Sequence, residues 1–412
     1  MATSITFLPV GNGDMTLILL GDAAGTTILI DCNIRSAADD PDDETRDVAK
    51  DLRERLKTDK QGRPFVDVFL STHPDKDHCT GFKKHFYLGP IADYPDDKKP
   101  SNEKRILIGE MWSSPIVFRR AGKDHTLCDD ALAFTREAKR RVNLAREKQF
   151  SGLEFGERVL VLGEDEDGKT DDLAPILVKV DEVFQKINGA NNALFKARLL
   201  APLPISSDEE EENAIGKNHS SVILNIQLAD DASRRTIKNF LAAGDAEVLI
   251  WEKLWDKHKD KPEVLAYDLL LTPHHCSWRS LSYESRSEKG DDAKVCKPAK
   301  SALSQIRANG KIVASSKPIE DDDCDPPSHA AKSEYETIVK GVNGEFLCTG
   351  EQPTKEKPAP LEFALSDGAL SRTVRKAALP PASLLTAGIV DRLGAEAAKT
   401  QAVQKGGNTR YA

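Results

Sequence analysis

Four metal-competent side chains fall within six residues, His73-x-Asp75-x-Asp77-His78. They directly follow Phe65 to Leu70, an apolar run that reads as a buried strand. Alternate residues leaving a strand project to one side, so His73 and Asp75 can converge on one point. Asp77 and His78 sit at the following turn and can face a second. A chain that ends a buried strand in this way must place that end on the rim of a sheet. Elsewhere in the chain, neighbours have to help neutralise the charge collected there.

The same pattern recurs further along. His219 precedes the predicted strand Ser221 to Leu228. Asp245 follows the strand Thr236 to Ala242 through Gly244, and His274 and His275 follow Asp268 to Leu271. Histidines and carboxylates collected at strand ends are the parts of a binuclear hydrolytic centre, with ions about 3.5–4 Å apart. Asp245 is the residue expected to bridge the two ions. If the last strand stays extended, His274 and His275 point opposite ways. His274 leaves the strand first and is the expected ligand, with His275 either beside the substrate or supporting the ligands from behind.

Further predicted elements fill the spaces between. Met15 to Leu20 and Thr26 to Asp31 read as a hairpin, and Thr45 to Lys57 and Leu127 to Gln149 as helices. Strands are expected at Ile106 to Met111, Arg158 to Leu162, Ala197 to Leu203, Ile312 to Ala314 and Glu345 to Cys348. Helices are expected at Ser301 to Asn309 and Ala331 to Val339, and a solvated acidic loop at Ser206 to Glu212. Two strand-rich halves, each with helices, make a layered α/β sandwich. Pro353 to Pro360 reads as a linker, and one helical pattern near Leu384 to Ala398 follows it.

The ordered set of motifs resembles the metallo-β-lactamase superfamily, and within it the metallohydrolase domain of ComEC-type proteins. The resemblance is carried by Val10-Gly11-Asn12-Gly13-Asp14, Ile28-Leu29-Ile30-Asp31, Thr72-His73-Pro74-Asp75-Lys76-Asp77-His78, Asn218-His219-Ser220-Ser221-Val222, Gly244-Asp245 and Pro273-His274-His275. His329, after Pro326-Pro327-Ser328, matches a late histidine loop. The resemblance implies a four-layer αββα fold over residues 1–350, with an insertion within about 87–215. Residues 351–412 are then a linker and tail, with a helix that could dock a protein partner.

The resemblance also implies two divalent ions. His73 and Asp75 would hold the first, with Asn218 or His219. Asp77, His78 and His274 would hold the second, and Asp245 would bridge them. Glycine is expected after the paired histidines and after Asp31, where this chain has Cys276 and Cys32. Asp75, in place of a histidine, makes the donor set harder and puts manganese level with zinc. The activity implied is phosphodiester hydrolysis, most of all nuclease action, by a hydroxide bridging the ions. Asp77, His275 and His329 are the expected catalytic side chains. The alternatives are hydrolysis of a small ester, lactone, thioester or cyclic nucleotide on the same centre, and a partner-gated regulatory subunit.

Charge and composition narrow the partners. Fifty-eight basic against sixty-seven acidic residues exclude a uniformly basic nucleic-acid coat. Arg119 to Lys148 holds nine basic and five acidic side chains, a phosphate-binding surface or an ordinary solvated helix. Trp278 is the tryptophan placed to stack on a base, and Cys79 and Cys276 are expected to pack. With no apolar run of about 18 residues, no membrane span is expected. Seven scattered cysteines and the absence of a signal-peptide pattern point to a reduced, cytoplasmic setting.

Overall fold

The computed structural model describes residues 2–40, 43–216, 218–230, 233 and 236–373. Its strands form two large sheets. In the first the order is Ala369–Thr373, Leu361–Ser366, Ser4–Phe7, Thr16–Leu19, Thr27–Ile30, Pro64–Leu70, Leu107–Ser113, Arg158–Leu162 and Leu177–Val178. In the second it is Glu345–Cys348, Ile306–Ala314, Tyr267–Leu271, Ile237–Ala242, Ile223–Ala229, Phe195–Ala201 and Val183–Phe184.

The layering follows from which side chains meet. Ile5, Phe7, Ile28, Val68 and Leu70 of the first sheet share one buried cluster with Leu224, Ile226, Phe240, Leu269 and Val313 of the second. The outer face of the first sheet (Leu29, Val66, Phe69, Met111) buries against Leu52, Phe134, Ala138 and Ala145 on the helices Val48–Arg53 and Asp129–Glu147. The outer face of the second (Leu241, Leu270, Ile312) covers Trp251, Leu254, Ala302 and Tyr335 on the helices Val248–His258, Lys297–Leu303 and His329–Lys340. Both sheets are apolar on two faces, so each is sandwiched and the whole is a four-layer αββα fold, as expected.

Several boundaries differ from the sequence reading. Residues 361–373 were expected in the tail, yet Leu361–Ser366 pairs antiparallel with Ser4–Phe7 and Ala369–Thr373 adds the edge. Phe363 packs edge-on to Phe7 with centroids 6.2 Å apart. The alternation Leu361-x-Phe363-x-Leu365 carries that signal and was outweighed by the prolines before it. The span 87–215, within which an insertion was expected, also carries the predicted strands: Leu107–Ser113 and Arg158–Leu162 belong to the first sheet and Phe195–Ala201 to the second. Ser301 to Asn309 is not a helix throughout. The helix ends at Leu303, and Ile306–Ala314 joins Tyr267–Leu271 in parallel.

The acidic run also differs. Glu209–Ala214 is helical, and Glu212 forms a bidentate pair with the buried guanidinium of Arg120 at 2.8 and 2.9 Å. The pattern near Leu384 to Ala398 lies outside the described residues.

Because Phe363 is buried in the inter-sheet core, Phe363→Ala should destabilise the fold by about 3–5 kcal/mol. Chemical denaturation checks this. A change below about 0.5 kcal/mol, the usual scale for surface substitutions, would mean that the last two strands are not integral to the sheet.

Candidate metal centre

Thr27–Ile30 and Pro64–Leu70 run parallel in the first sheet, and Ile237–Ala242 and Tyr267–Leu271 run parallel in the second. Their C-terminal ends release Asp31, His73, Asp245 and the histidine pair at one rim of the sandwich, where open α/β sheets commonly bind ligands. Two local devices hold the backbone there. Gly244 has φ +51°, and a Cβ at that position would stand 2.9 Å from the Ser221 side chain, so the turn into Asp245 needs glycine. Gly13 has φ +141°, and a Cβ would stand 2.5 Å from the Asp77 carbonyl.

Asp245 lies at the centre, fully buried. Its Oδ1 is 3.0 Å from His78 Nε2 and 3.4 Å from His275 Nε2. Its Oδ2 is 3.4 Å from His73 Nε2 and 3.8 Å from His274 Nε2. The two carboxylate oxygens therefore divide the histidines into two groups, which is the geometry expected of a bridging residue. His73, Asp75 and Asp245 offer donor atoms within 4.8 Å of one another, and so do Asp14, His78, Asp245 and His275. Asp77 Oδ2 joins the second group, 3.3 Å from His275 Nε2.

The donor set fits divalent ions. His73 Nε2 and Asp245 Oδ1 are buried without a hydrogen bond. His78 Nε2 and His275 Nε2 face each other at 3.1 Å. Donors bound to one ion at about 2.0–2.2 Å in tetrahedral geometry are themselves about 3–3.5 Å apart.

The far side of each ring is fixed as well. Asp31 accepts from Thr72 N at 2.8 Å, from Thr72 Oγ1 at 2.6 Å and from His78 Nδ1 at 2.9 Å. His275 Nδ1 faces the Ser315 carbonyl at 3.1 Å and Asp14 Oδ1 at 3.4 Å. With Asp31 behind it, His78 Nδ1 carries a proton and Nε2 is the nitrogen turned to the centre; His275 Nδ1 also faces the Gly13 amide at 3.2 Å, and its Nε2 is likewise the nitrogen turned inward. Asp14 and Asp31 were not among the expected site residues. Both stand in the motifs that carry the family resemblance, where they read as strand punctuation.

The histidine pair departs from expectation. His275, not His274, converges with His78 and Asp77. The reason is local: His274, His275 and Cys276 all have positive φ, at 50°, 53° and 69°. The backbone is coiled rather than extended, so the rule that alternate residues oppose does not apply. The Cys276 conformation also explains why glycine is common at such a position. The Cys276 carbonyl accepts from Ser328 N at 2.9 Å and the His274 carbonyl from Ser277 N at 2.9 Å, which holds the strained turn.

His219 and His329 are not brought to the centre. His219 Nε2 lies 3.5 Å from Glu247 Oε2, and His274 Nδ1 lies 3.5 Å from Glu247 Oε1. Asn218 Nδ2 donates to the same Glu247 Oε1 at 3.1 Å. Glu247, which no motif flagged, thus gathers Asn218, His219 and His274 beside the donors. His329 is part-exposed on the first turn of its helix, 3.3 Å from Asp321.

His219, Glu247 and His329 line a pocket of about 1060 Å³. Its walls carry Glu284, Glu334 and the Asp321–Asp325 loop, against Arg279 and Arg286. Trp278 is buried beneath the Arg286 guanidinium, 5.5 Å from its ring centre, and offers no stacking face.

The basic helix segment is largely self-compensated. Arg119 pairs with Asp165 and Glu166, Arg120 with Glu212, Arg140 and Arg141 with Glu137, Arg146 with Asp172, and Lys148 with Glu157. Six of its nine basic side chains are paired in this way.

No family model and no curated protein matches this sequence. Among solved structures, the chain is similar to a metallo-β-lactamase, MIM-1 from Novosphingobium pentaromativorans, at 14% identity, with 73% of this chain and 86% of that one covered and a TM-score of 0.26. It is similar to a diphosphatase of the PhnP family at 10% identity, with 89% and 98% covered and a TM-score of 0.31. It is similar to the short form of human tRNase Z at 12% identity, with 84% and 91% covered and a TM-score of 0.29. The layering and the centre stand on the chain's own residues. Among the described residues, no helix is long and apolar enough to cross a membrane.

Burial pushes the His275 imidazole down, but Asp245, Asp14 and Asp77 outweigh it and hold it at about 10. Burial acts the same way on His78, and Asp245 and Asp31 raise it well above its ordinary value. Burial alone would raise the carboxyls of Asp245 and Asp77, but the facing histidines keep both well below the usual range. The metal-free centre therefore holds extra protons at neutral pH. In that state the raised imidazoles stabilise the fold fully below about pH 6.5, and the contribution is lost as pH rises through about 10.

A metal ion needs the same nitrogens bare, so binding should release protons at pH 7, and affinity should rise with pH until it levels off near 10. Calorimetric titration of Mn²⁺ or Zn²⁺ in buffers of different ionisation enthalpy measures both. Affinity independent of pH between 6 and 9 would contradict this protonation pattern.

Proposed function

We propose that this chain is a metal-dependent hydrolase of the metallo-β-lactamase superfamily, nearest the ComEC-type branch, and that it cleaves phosphodiesters. The observation that carries the reading is the division of the two Asp245 oxygens between His73 on one side and His78 with His275 on the other. His73, Asp75 and Asp245 would hold one ion, and Asp77, His78, His275 and Asp245 the other. Two divalent ions, when bound, polarise a phosphoryl oxygen and make water nucleophilic at neutral pH.

The chain's own part is positional. Asp31 and Asp14 orient His78 and His275, and the carboxylate-rich donors suit manganese as well as zinc. His274, between Asp245 and Glu247, is the side chain placed to give a proton to the leaving oxygen. His329, on the pocket wall, pairs with Asp321 instead.

Nucleic acid is the first substrate class. A second reading, a small phosphodiester or ester, is favoured by the pocket. Its acidic lining repels a polyanion, and the paired basic helix offers no compensating track. The experiment presents labelled single-stranded DNA, duplex DNA, RNA, a nitrophenyl phosphodiester and a nitrophenyl carboxylic ester to the Mn²⁺- or Zn²⁺-loaded protein. Turnover of a phosphodiester, reduced at least roughly 100-fold by Asp245→Ala, is the expected result. Turnover of the carboxylic ester alone would move the chemistry to acyl transfer. No turnover with either metal would remove the hydrolase reading.

A further inference from the structure

Two thiols lie directly behind the donor loop. Cys79 follows His78, and Cys128 immediately precedes the helix Asp129–Glu147. Their Sγ atoms are 3.3 Å apart. The two segments are docked independently of the sulfurs, since Asp130 accepts from Gly81 N at 3.1 Å and from Lys83 N at 2.7 Å. Cys79 is buried, and Cys128 is partly exposed. Closing the pair to the roughly 2.0 Å of a disulfide needs a local shift of little more than an ångström.

We propose that Cys79 and Cys128 form a reversible redox pair, in which a peroxide oxidises Cys128 and Cys79 then closes a disulfide between the donor loop and the helix. In the first step the Cys128 sulfur attacks one peroxide oxygen and the O–O bond breaks. The other oxygen leaves as water with the thiol's proton, so sulfur is oxidised to the sulfenic acid and peroxide is reduced. In the second step the Cys79 sulfur attacks the sulfenic sulfur. The S–S bond forms, the S–O bond breaks, and the hydroxyl leaves as water with the proton of Cys79. A dithiol reductant reverses the bond by exchange.

The order of the two cysteines follows from their placement. Solvent reaches Cys128, which stands at the start of a 19-residue helix. Its thiol is held down at about 6 by the Cys79 S–H and, against burial, by the amides of Ala131 and Asp130. The one Cys79 S–H is shared between the Cys128 sulfur at 3.3 Å and the Asp75 carbonyl at 3.1 Å. The disulfide removes that hydrogen bond from a loop that carries Asp75, Asp77 and His78. Oxidation should therefore weaken metal binding, a consequence that rests on the metal-centre reading, whereas the redox pair itself does not.

The test uses the full chain. It is treated with hydrogen peroxide until the exposed Cys324 is oxidised, then alkylated, digested and mapped by mass spectrometry. The expected product is a joined pair of Cys79 and Cys128 peptides, two hydrogens lighter than the reduced pair. It should disappear with dithiothreitol and be absent from Cys128→Ser and Cys79→Ser. Full alkylation of both thiols, or Cys128 driven to sulfinic acid without the joined pair, would overturn the proposal.

A Mn²⁺ titration of the same samples reads the coupling. Roughly tenfold weaker binding by the oxidised protein is expected, and no change in peroxide-treated Cys128→Ser. Equal affinity in fully disulfide-bonded protein would overturn the coupling. Absence of Mn²⁺ and Zn²⁺ binding in both oxidation states would overturn the metal reading and leave the redox pair standing.

Discussion

A fully buried carboxylate has to be compensated, and in this chain that requirement organises the rim of the fold. Asp245 sits between sheets with four imidazoles facing its two oxygens. Leaving such a charge without partners would cost several kcal/mol. The compensation comes from two segments far apart in sequence, residues 73–78 and 274–275, so strand order and strand direction must bring their ends to Asp245. The parallel pairings within each sheet do this, and the inter-sheet core around Phe7, Phe240 and Phe363 sets the separation.

The second layer of contacts decides chemistry. A histidine at the rim can present either nitrogen, and Asp31 and Asp14 settle which one faces inward. Their carboxylates also hold charge on rings that would otherwise be neutral when buried. The metal-free centre is thus a set of proton-binding sites that ions must displace.

Much of this was legible in the sequence because metal chemistry restricts residue types. The dense cluster His73 to His78 and the Gly244-Asp245 turn announce themselves by composition and spacing. A layered α/β sandwich is readable from two strand-rich halves with helices, and the αββα order from the family resemblance. What was not legible depends on backbone conformation. Three consecutive left-handed residues at 274–276 exchange the parts of His274 and His275, and no periodicity reports that. Glu247 escaped notice because it stands on no motif and acts only through its neighbours Asn218, His219 and His274. The strand Leu361–Ser366 was hidden behind prolines, although its alternation is plain once its partner Ser4–Phe7 is known. The positive balance of the 119–148 segment was legible, but not its pairing, because the partners Asp165, Asp172 and Glu212 come from elsewhere in the chain.

The central claim is that Asp245 bridges two ion positions and that His275, rather than His274, completes the second. The most direct measurement is the stoichiometry and affinity of Mn²⁺, read by the paramagnetic signal of free ion, in the natural protein, His275→Ala and His274→Ala. The account expects two ions per chain, the loss of one in His275→Ala, and two retained in His274→Ala. Two ions retained in His275→Ala and one lost in His274→Ala would contradict it.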